Sequence, residues 1–136
     1  MAKKLKNKEK VMTKKMAIGI FAIVAVLLTV FVLISRDPKE IQMVKTGRLN
    51  ACSTRTVEQV VNGMFVSPKW KSEVPTGASG NIIYVKGRVM YAEMDVEAVL
   101  KFVVNGNIFE PYALEFNGVP QDELTMWELI ALMCIK

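Results

Sequence analysis

Residues 16–34 form a run of nineteen residues without a charge, and thirteen of them are Ile, Leu, Phe or Val. An α-helix of that length spans roughly 28 Å, close to the ~30 Å hydrocarbon core of a bilayer. We therefore predict a single transmembrane helix over residues 16–35. A cleaved signal peptide is the competing interpretation. The run exceeds a typical apolar signal region of ~7–15 residues, and no Ala-x-Ala-like cleavage site follows it, so an uncleaved anchor is favoured.

Basic charge is concentrated before this segment. Residues 1–15 contain seven lysines and one glutamate, a net charge of +6, whereas the remaining residues contain eleven Lys or Arg and twelve Asp or Glu, a net charge of −1. Because Lys and Arg are retained on the cytoplasmic side during insertion, residues 1–15 are predicted to be a cytoplasmic tail and the C-terminal part extracytoplasmic. The basic isoelectric point belongs to this tail, which argues against binding of nucleic acid.

The rest of the chain is long enough for one small domain. Arg36 and Pro38 end the predicted membrane helix, residues 36–50 are predicted to be a tether, and residues 51–136 an extracytoplasmic α+β domain. Thr56 and Gln59 have the spacing of a capping box and precede an apolar stripe, which predicts a helix over residues 57–66.

Alternating apolar residues and turn signals predict four strands, at residues 70–74, 81–91, 96–104 and 108–116. Gly87 indicates a bulge or the close approach of a packed helix, and Pro111 indicates an edge or bulged strand. After a turn at residues 117–120, residues 121–134 are predicted to be the last helix. The predicted order is α-β-β-β-β-α, an antiparallel meander with both helices covering one face in two layers.

The last helix is apolar over most of its circumference. Leu124, Trp127, Ala131 and Cys134 form one stripe, and Met126, Leu129 and Met133 form a second apolar flank. Deep burial is the favoured interpretation. The alternative is that the Met126, Leu129 and Met133 flank is a surface for a protein partner.

The chain contains two cysteines, Cys52 before the first domain helix and Cys134 near the end of the last. An extracytoplasmic domain meets an oxidising compartment, so we predict a Cys52–Cys134 disulfide. The alternative is two unrelated buried thiols.

Several motifs together resemble a small bacterial domain of no known activity, which is found attached to membrane anchors or zinc ribbons. They are the helix opened by Thr56 and Val57, the Pro68-x-Trp70 pattern, and residues 117–121 before a terminal helix. The resemblance covers residues 45–136. It implies a bacterial, membrane-anchored α+β protein, hence the inner (cytoplasmic) membrane, and it implies no activity or functional residue.

The sequence offers little for catalysis. The chain lacks histidine, which removes the commonest general base near neutral pH and most zinc sites. We therefore predict no catalytic, cofactor-binding or metal-binding residue. No cofactor is expected, and the protein is not expected to be an enzyme.

Two classes of function remain. The first is a non-catalytic protein-interaction module, an accessory subunit of an envelope complex, with an envelope protein or a second copy as partner. The second is a sensor or inhibitor that binds a small molecule or cell-wall fragment. A pocket lined by Trp70, Tyr84, Tyr91 or Tyr112 would favour the ligand, and an exposed apolar flank on the last helix would favour the protein partner.

Overall fold

The computed structural model describes residues 2–34, 37–77 and 79–136, and within the first helix it describes the side chains of residues 13–31. Arg36, predicted to end the membrane helix, Ala78 in the predicted loop, and the side chains of the lysines before residue 13 lie outside the described residues. The chain divides into two compact units, Met1–Arg36 and Asp37–Lys136.

The first unit contains the helix α1, Ala2–Ile34, which begins well before the predicted membrane segment. Within α1, Thr13–Phe31 has a mean hydropathy of 2.1, and none of its side chains is buried. This stretch is long and apolar enough to cross a membrane.

The second unit is of the α+β class, as predicted. Its helices are α2 (Lys39–Thr46), a short 3₁₀ helix (Asn50–Cys52), α3 (Val57–Met64) and α4 (Glu123–Ile135). Its strands are β1 (Val66–Glu73), β2 (Asn81–Tyr91), β3 (Met94–Asn105), β4 (Ile108–Phe116) and β5 (Val119–Pro120). The strands pair antiparallel in the order β1-β2-β3-β4-β5, so the sheet is antiparallel, as predicted, and it has five strands where four were predicted.

The structure differs from the sequence interpretation in the predicted tether, residues 36–50. This stretch contains α2, in which Ile41 and Val44 are buried in the core. The two residues are three positions apart and so share one face of the short helix. Because only two apolar positions mark that face, the sequence pattern was too short to reveal the helix.

Two local predictions are confirmed by contacts. The Thr56 hydroxyl accepts a hydrogen bond from the Gln59 backbone N–H, and the Gln59 side chain accepts one from the Thr56 backbone N–H, which completes the capping box. At Gly87, a Cβ atom would lie 3.1 Å from the Phe65 ring, so the glycine permits the chain leaving α3 to pass close to β2.

Pro111 marks a bulge in β4, as predicted. Phe102 of β3 pairs with Pro111, whereas its neighbour Lys101 pairs with Ala113, so Tyr112 is the extra residue. The bulge shifts the alternation of β4, with the result that Phe109 and Leu114 both face the core.

The core lies on one face of the sheet. Alternate residues of β2 and β3 are buried there together with apolar side chains of α2, α3 and α4. The largest of the fully buried side chains are Phe102, Ile83, Leu100, Leu114, Leu129, Ile130 and Met133. The other residues of β2 and β3 are half-buried or exposed.

Candidate interaction surface

The two cysteines lie at disulfide distance, as predicted. The Cα atoms of Cys52 and Cys134 are 5.3 Å apart, although 82 positions separate them in sequence. This is within the range that a disulfide requires. The pair joins the 3₁₀ helix to the last turn of α4. Nearby, Arg55 donates hydrogen bonds to the backbone carbonyl oxygens of Met133 and Cys134, so two independent connections hold the end of α4.

The flank of Met126, Leu129 and Met133 is buried, which was the favoured interpretation, so the alternative of a partner surface at these residues is wrong. Met126 is 4% exposed, and Leu129 and Met133 are fully buried in the core. These residues pack in the same cluster as the buried side chains of β3 and β4. They are therefore unavailable to a partner in the folded domain.

The opposite side of α4 is exposed and apolar. Leu124 is 69% exposed, Trp127 42%, Leu132 39% and Ile135 80%, and the small residue Ala131 lies among them. We call Leu124, Trp127, Ala131, Leu132 and Ile135 the α4 outer face. A group of neighbouring exposed apolar side chains of this kind is typical of a surface that binds another protein. Glu128 lies on the same side of α4, among these apolar residues.

A groove adjoins this face at Trp127. It has a volume of about 300 Å³ and lies between α4, the segment around Arg48 and Asn50, and the start of β4. Phe109, Pro111 and Trp127 form its apolar walls. Trp127 and Arg48 both line this groove. Trp and Arg are among the residue types that most often carry the binding energy of protein interfaces.

The four candidate ligand-facing aromatic residues do not share one pocket. Trp70 lies on the core side of the sheet, where it stacks on Phe102 at 6.5 Å between ring centroids. The Lys45 ammonium lies 5.5 Å from the centroid of the Trp70 ring, a cation–π contact. These contacts account for Trp70 without a ligand.

Tyr91 is likewise engaged within the domain. Its ring lies 4.9 Å from that of Phe116, and its hydroxyl donates a 2.9 Å hydrogen bond to the Glu128 carboxylate of α4. This hydrogen bond raises the pKa of Tyr91, because the carboxylate accepts from the neutral phenol, and burial and the negative charges of Glu128 and Asp122 act in the same direction.

Tyr84 and Tyr112 do come together, on the sheet face opposite the helices. They line a shallow depression of about 300 Å³ with charged side chains of both signs. At its floor Lys101 donates a 2.6 Å hydrogen bond to Glu115. That bond raises the pKa of Lys101 against the opposing effect of burial, so the lysine stays protonated and is a poor nucleophile.

Among the described residues, no three His, Cys, Asp or Glu side chains are placed to hold a metal ion. Within the same part of the chain, every buried side-chain nitrogen or oxygen has a hydrogen-bond partner. Comparison with models of known families, with curated protein sequences and with solved structures finds no match.

Three residues of the α4 outer face, Leu124, Trp127 and Ala131, belong to the stripe that the sequence analysis identified with Cys134, whereas Leu132 and Ile135 were not singled out. Helical periodicity could not decide between the two sides, because both are apolar. The signal that could have separated them is the acidic Glu128, which lies on the same side as Leu124 and Ile135 at helical spacing.

Proposed function

We propose that this chain is a bitopic membrane protein whose extracytoplasmic domain is a non-catalytic protein-interaction module. The observation that carries the proposal is the α4 outer face. An apolar helix side that carries a half-exposed Trp127 and an 80% exposed Ile135 is costly to leave in water, and a protein partner would cover it.

The location follows from the first unit. Thr13–Phe31 supplies the span, and the lysines of residues 1–15 favour a cytoplasmic N-terminus. The Cys52–Cys134 pair is consistent with a domain outside the cytoplasm, where disulfides persist. We propose the bacterial inner membrane, a two-layer domain, and a role as an accessory subunit of an envelope complex.

Photo-crosslinking in native membranes tests this function. A photoreactive amino acid replaces Leu124 or Ile135 in the α4 outer face, and Ile108 serves as the matched control because it is a 66% exposed isoleucine in the β3–β4 hairpin. We expect a defined adduct of higher mass from Leu124 and Ile135 and none from Ile108. Recovery of only the uncrosslinked chain at all three positions would contradict the proposal.

The depression at Tyr84 and Tyr112 supports a second candidate, a sensor or inhibitor for a cell-wall fragment. The two phenol rings offer stacking surfaces, and Lys101 and Glu115 offer polar contacts. Isothermal titration calorimetry of the detergent-solubilised full chain with muramyl dipeptide tests this second candidate. Saturable heat that disappears in Tyr84→Ser would favour this candidate, and no heat would exclude this probe as its ligand.

A further inference from the structure

The groove beside Trp127 adjoins an edge of the sheet that no strand covers. β5 pairs with β4 only at Glu115 and Phe116, so within the described residues the start of β4 ends the sheet on this side. We call Phe109–Pro111 the free edge of β4. We infer that an extended segment of a partner protein binds here as a short added strand, with apolar and acidic side chains in the groove. This inference rests on the proposed function, because it names the kind of segment by which the partner binds.

The register of β4 leaves backbone groups of the free edge available. Residues 106–107 form a two-residue turn, so the residues on either side of it are a hydrogen-bonded pair of the hairpin. Such pairs alternate with non-hydrogen-bonded pairs along an antiparallel ladder. The N–H and C=O of Phe109 and the C=O of Pro111 therefore point away from β3. Proline fits this position because it has no N–H to give to β3. An added strand can make hydrogen bonds to these three groups.

The groove offers room for the side chains of such a strand. Phe109, Pro111 and Trp127 form its apolar walls, and the Phe109 ring is held in place against Gly47. Its volume of about 300 Å³ is at the lower end for small-molecule sites, which span ~300–1,000 Å³. Because alternate side chains of a strand point to the same face, two residues of the added strand, two positions apart, face the groove.

The charges at the groove specify the side chains that it accepts. Arg48 lines the groove, is exposed, and makes no hydrogen bond or ion pair among the described residues. A guanidinium group binds a carboxylate through two parallel hydrogen bonds, so an acidic residue of the added strand is expected to contact it. Glu110 lies at the rim, and the alternation of β4 places its side chain on the opposite face of the sheet. The neighbouring residue of the added strand is therefore expected to be basic or polar.

The two edges of the sheet differ in how well they resist an added strand. The β1 edge contains Pro68, the exposed Lys69 and Lys71, and a register irregularity, all of which hinder strand addition. On β4, Pro111 and the bulge limit the available backbone to the free edge but place no lysine there. A short segment is therefore accommodated at β4, and the groove side chains decide which segment binds.

Peptide selection tests the chemistry of the occupant. The probe is a display library of random octapeptides, selected against the full chain in phosphatidylcholine nanodiscs. We expect enriched peptides to carry Asp or Glu two positions from an apolar residue, and to bind Arg48→Glu about tenfold more weakly. Lys69→Glu is the matched control, since it reverses the same charge at an exposed position of the opposite edge and should leave the affinity unchanged. Thermal melts verify that both variants fold. Absence of enrichment, or equal affinity for Arg48→Glu, would overturn the inference.

Methylation of the peptide backbone tests the added strand itself. In an added strand, two peptide N–H groups, two positions apart, donate to the carbonyl oxygens of Phe109 and Pro111. Methylation of either nitrogen in an enriched peptide should lower its affinity about tenfold, and methylation of the nitrogen between them should have little effect. The same loss at all three positions would show that the peptide does not bind as a strand.

The two proposals fail separately. If no peptide is enriched but photo-crosslinkers at Leu124 and Ile135 still form an adduct in native membranes, the added strand is wrong and the interaction module stands. If the peptides bind as expected but neither position forms an adduct, the free edge stands as a peptide site and the α4 outer face is wrong as the partner surface. Enriched peptides that match β4 of this chain would identify a second copy and overturn a partner of different sequence.

Discussion

The guanidinium group of Arg55 donates a 2.5 Å hydrogen bond to the backbone carbonyl oxygen of Cys134, the residue that lies at disulfide distance from Cys52. Carbonyl groups in the last turn of a helix lack partners within the helix. Arg55 supplies a charged donor for two of them, because it also reaches the carbonyl oxygen of Met133. Together with the Cys52–Cys134 pair, this connection holds the end of α4 against the rest of the domain.

Arg55→Met should therefore lower the free energy of unfolding by about 1.5 kcal/mol, since a part-buried hydrogen bond from a charged donor is lost. Urea denaturation of the oxidised protein measures the change. Arg48→Met is the matched control, because Arg48 is exposed and its side chain makes none of the hydrogen bonds found among the described residues. Equal losses in the two variants would contradict the assigned role of Arg55.

The Cys52–Cys134 pair should form a disulfide in the native protein. Replacement of both cysteines by serine is expected to lower the free energy of unfolding by about 4 kcal/mol, from the loop-closure entropy of a long loop. Wild-type protein under strong reductant should match the double variant. Peptide mapping without reductant should find the two residues in one linked peptide, and two thiols open to alkylation in the native protein would contradict the disulfide.

Gly47, at the end of α2, is predicted to be intolerant of a side chain. A Cβ atom there would overlap the Phe109 ring of β4, so Gly47→Ala should destabilise the domain by about 2 kcal/mol. Gly63 is the control, because it lies in α3 with open space around it, and Gly63→Ala should stabilise by roughly 0.5–1 kcal/mol. Thermal melts of the two variants should shift in opposite directions, and a shared direction would contradict the close approach of Gly47 to the Phe109 ring.

The Tyr91–Glu128 hydrogen bond should make stability depend on alkaline pH. Because the pKa of Tyr91 is raised in the folded state, the folded protein holds the phenol proton more tightly than the unfolded chain does. The stabilisation that the Tyr91–Glu128 hydrogen bond contributes is fully present below the ordinary pKa of tyrosine, ~10. It is lost as the pH rises through the raised pKa of Tyr91 in the folded state. Denaturation at a series of pH values should show the loss in wild type and not in Tyr91→Phe.

A feature of the fold can be predicted from the sequence where a local pattern of residues determines it. The Thr56–Gln59 capping box was predicted, and the bulge at Pro111 was one of two predicted alternatives, because both features rest on the chemistry of single residues. The burial of Met126 and the exposure of Ile135 depend instead on which side of α4 meets the sheet. Both sides are apolar, so only the tertiary contacts choose between them. The helix α2 was missed for a related reason, since its apolar side consists of Ile41 and Val44 with a half-buried Met43 between them.

The bulge also changes which side chains of β4 face the core. Strict alternation would place Phe109 and Leu114 on opposite faces of β4, whereas the extra residue Tyr112 brings both to the core. The sheet pairing likewise separates Trp70 and Tyr91 from Tyr84, because neighbouring positions of a strand point to opposite faces. The pairing of β2, β3 and β4 is what brings Tyr84 and Tyr112 to one depression, and no local pattern in the sequence indicates it.

We propose that a protein partner covers the α4 outer face while the chain is anchored in its membrane. The most direct measurement compares the rates at which a membrane-impermeant maleimide labels Ile135→Cys and Ile108→Cys in intact membranes and after dilution in detergent. Ile135 is 80% exposed and Ile108 66% exposed in the isolated chain, so the two cysteines should react alike once the partner dissociates. We predict slow labelling of Ile135→Cys in membranes, fast labelling after dilution, and fast labelling of Ile108→Cys in both. Equally fast labelling of both cysteines in intact membranes would contradict the claim.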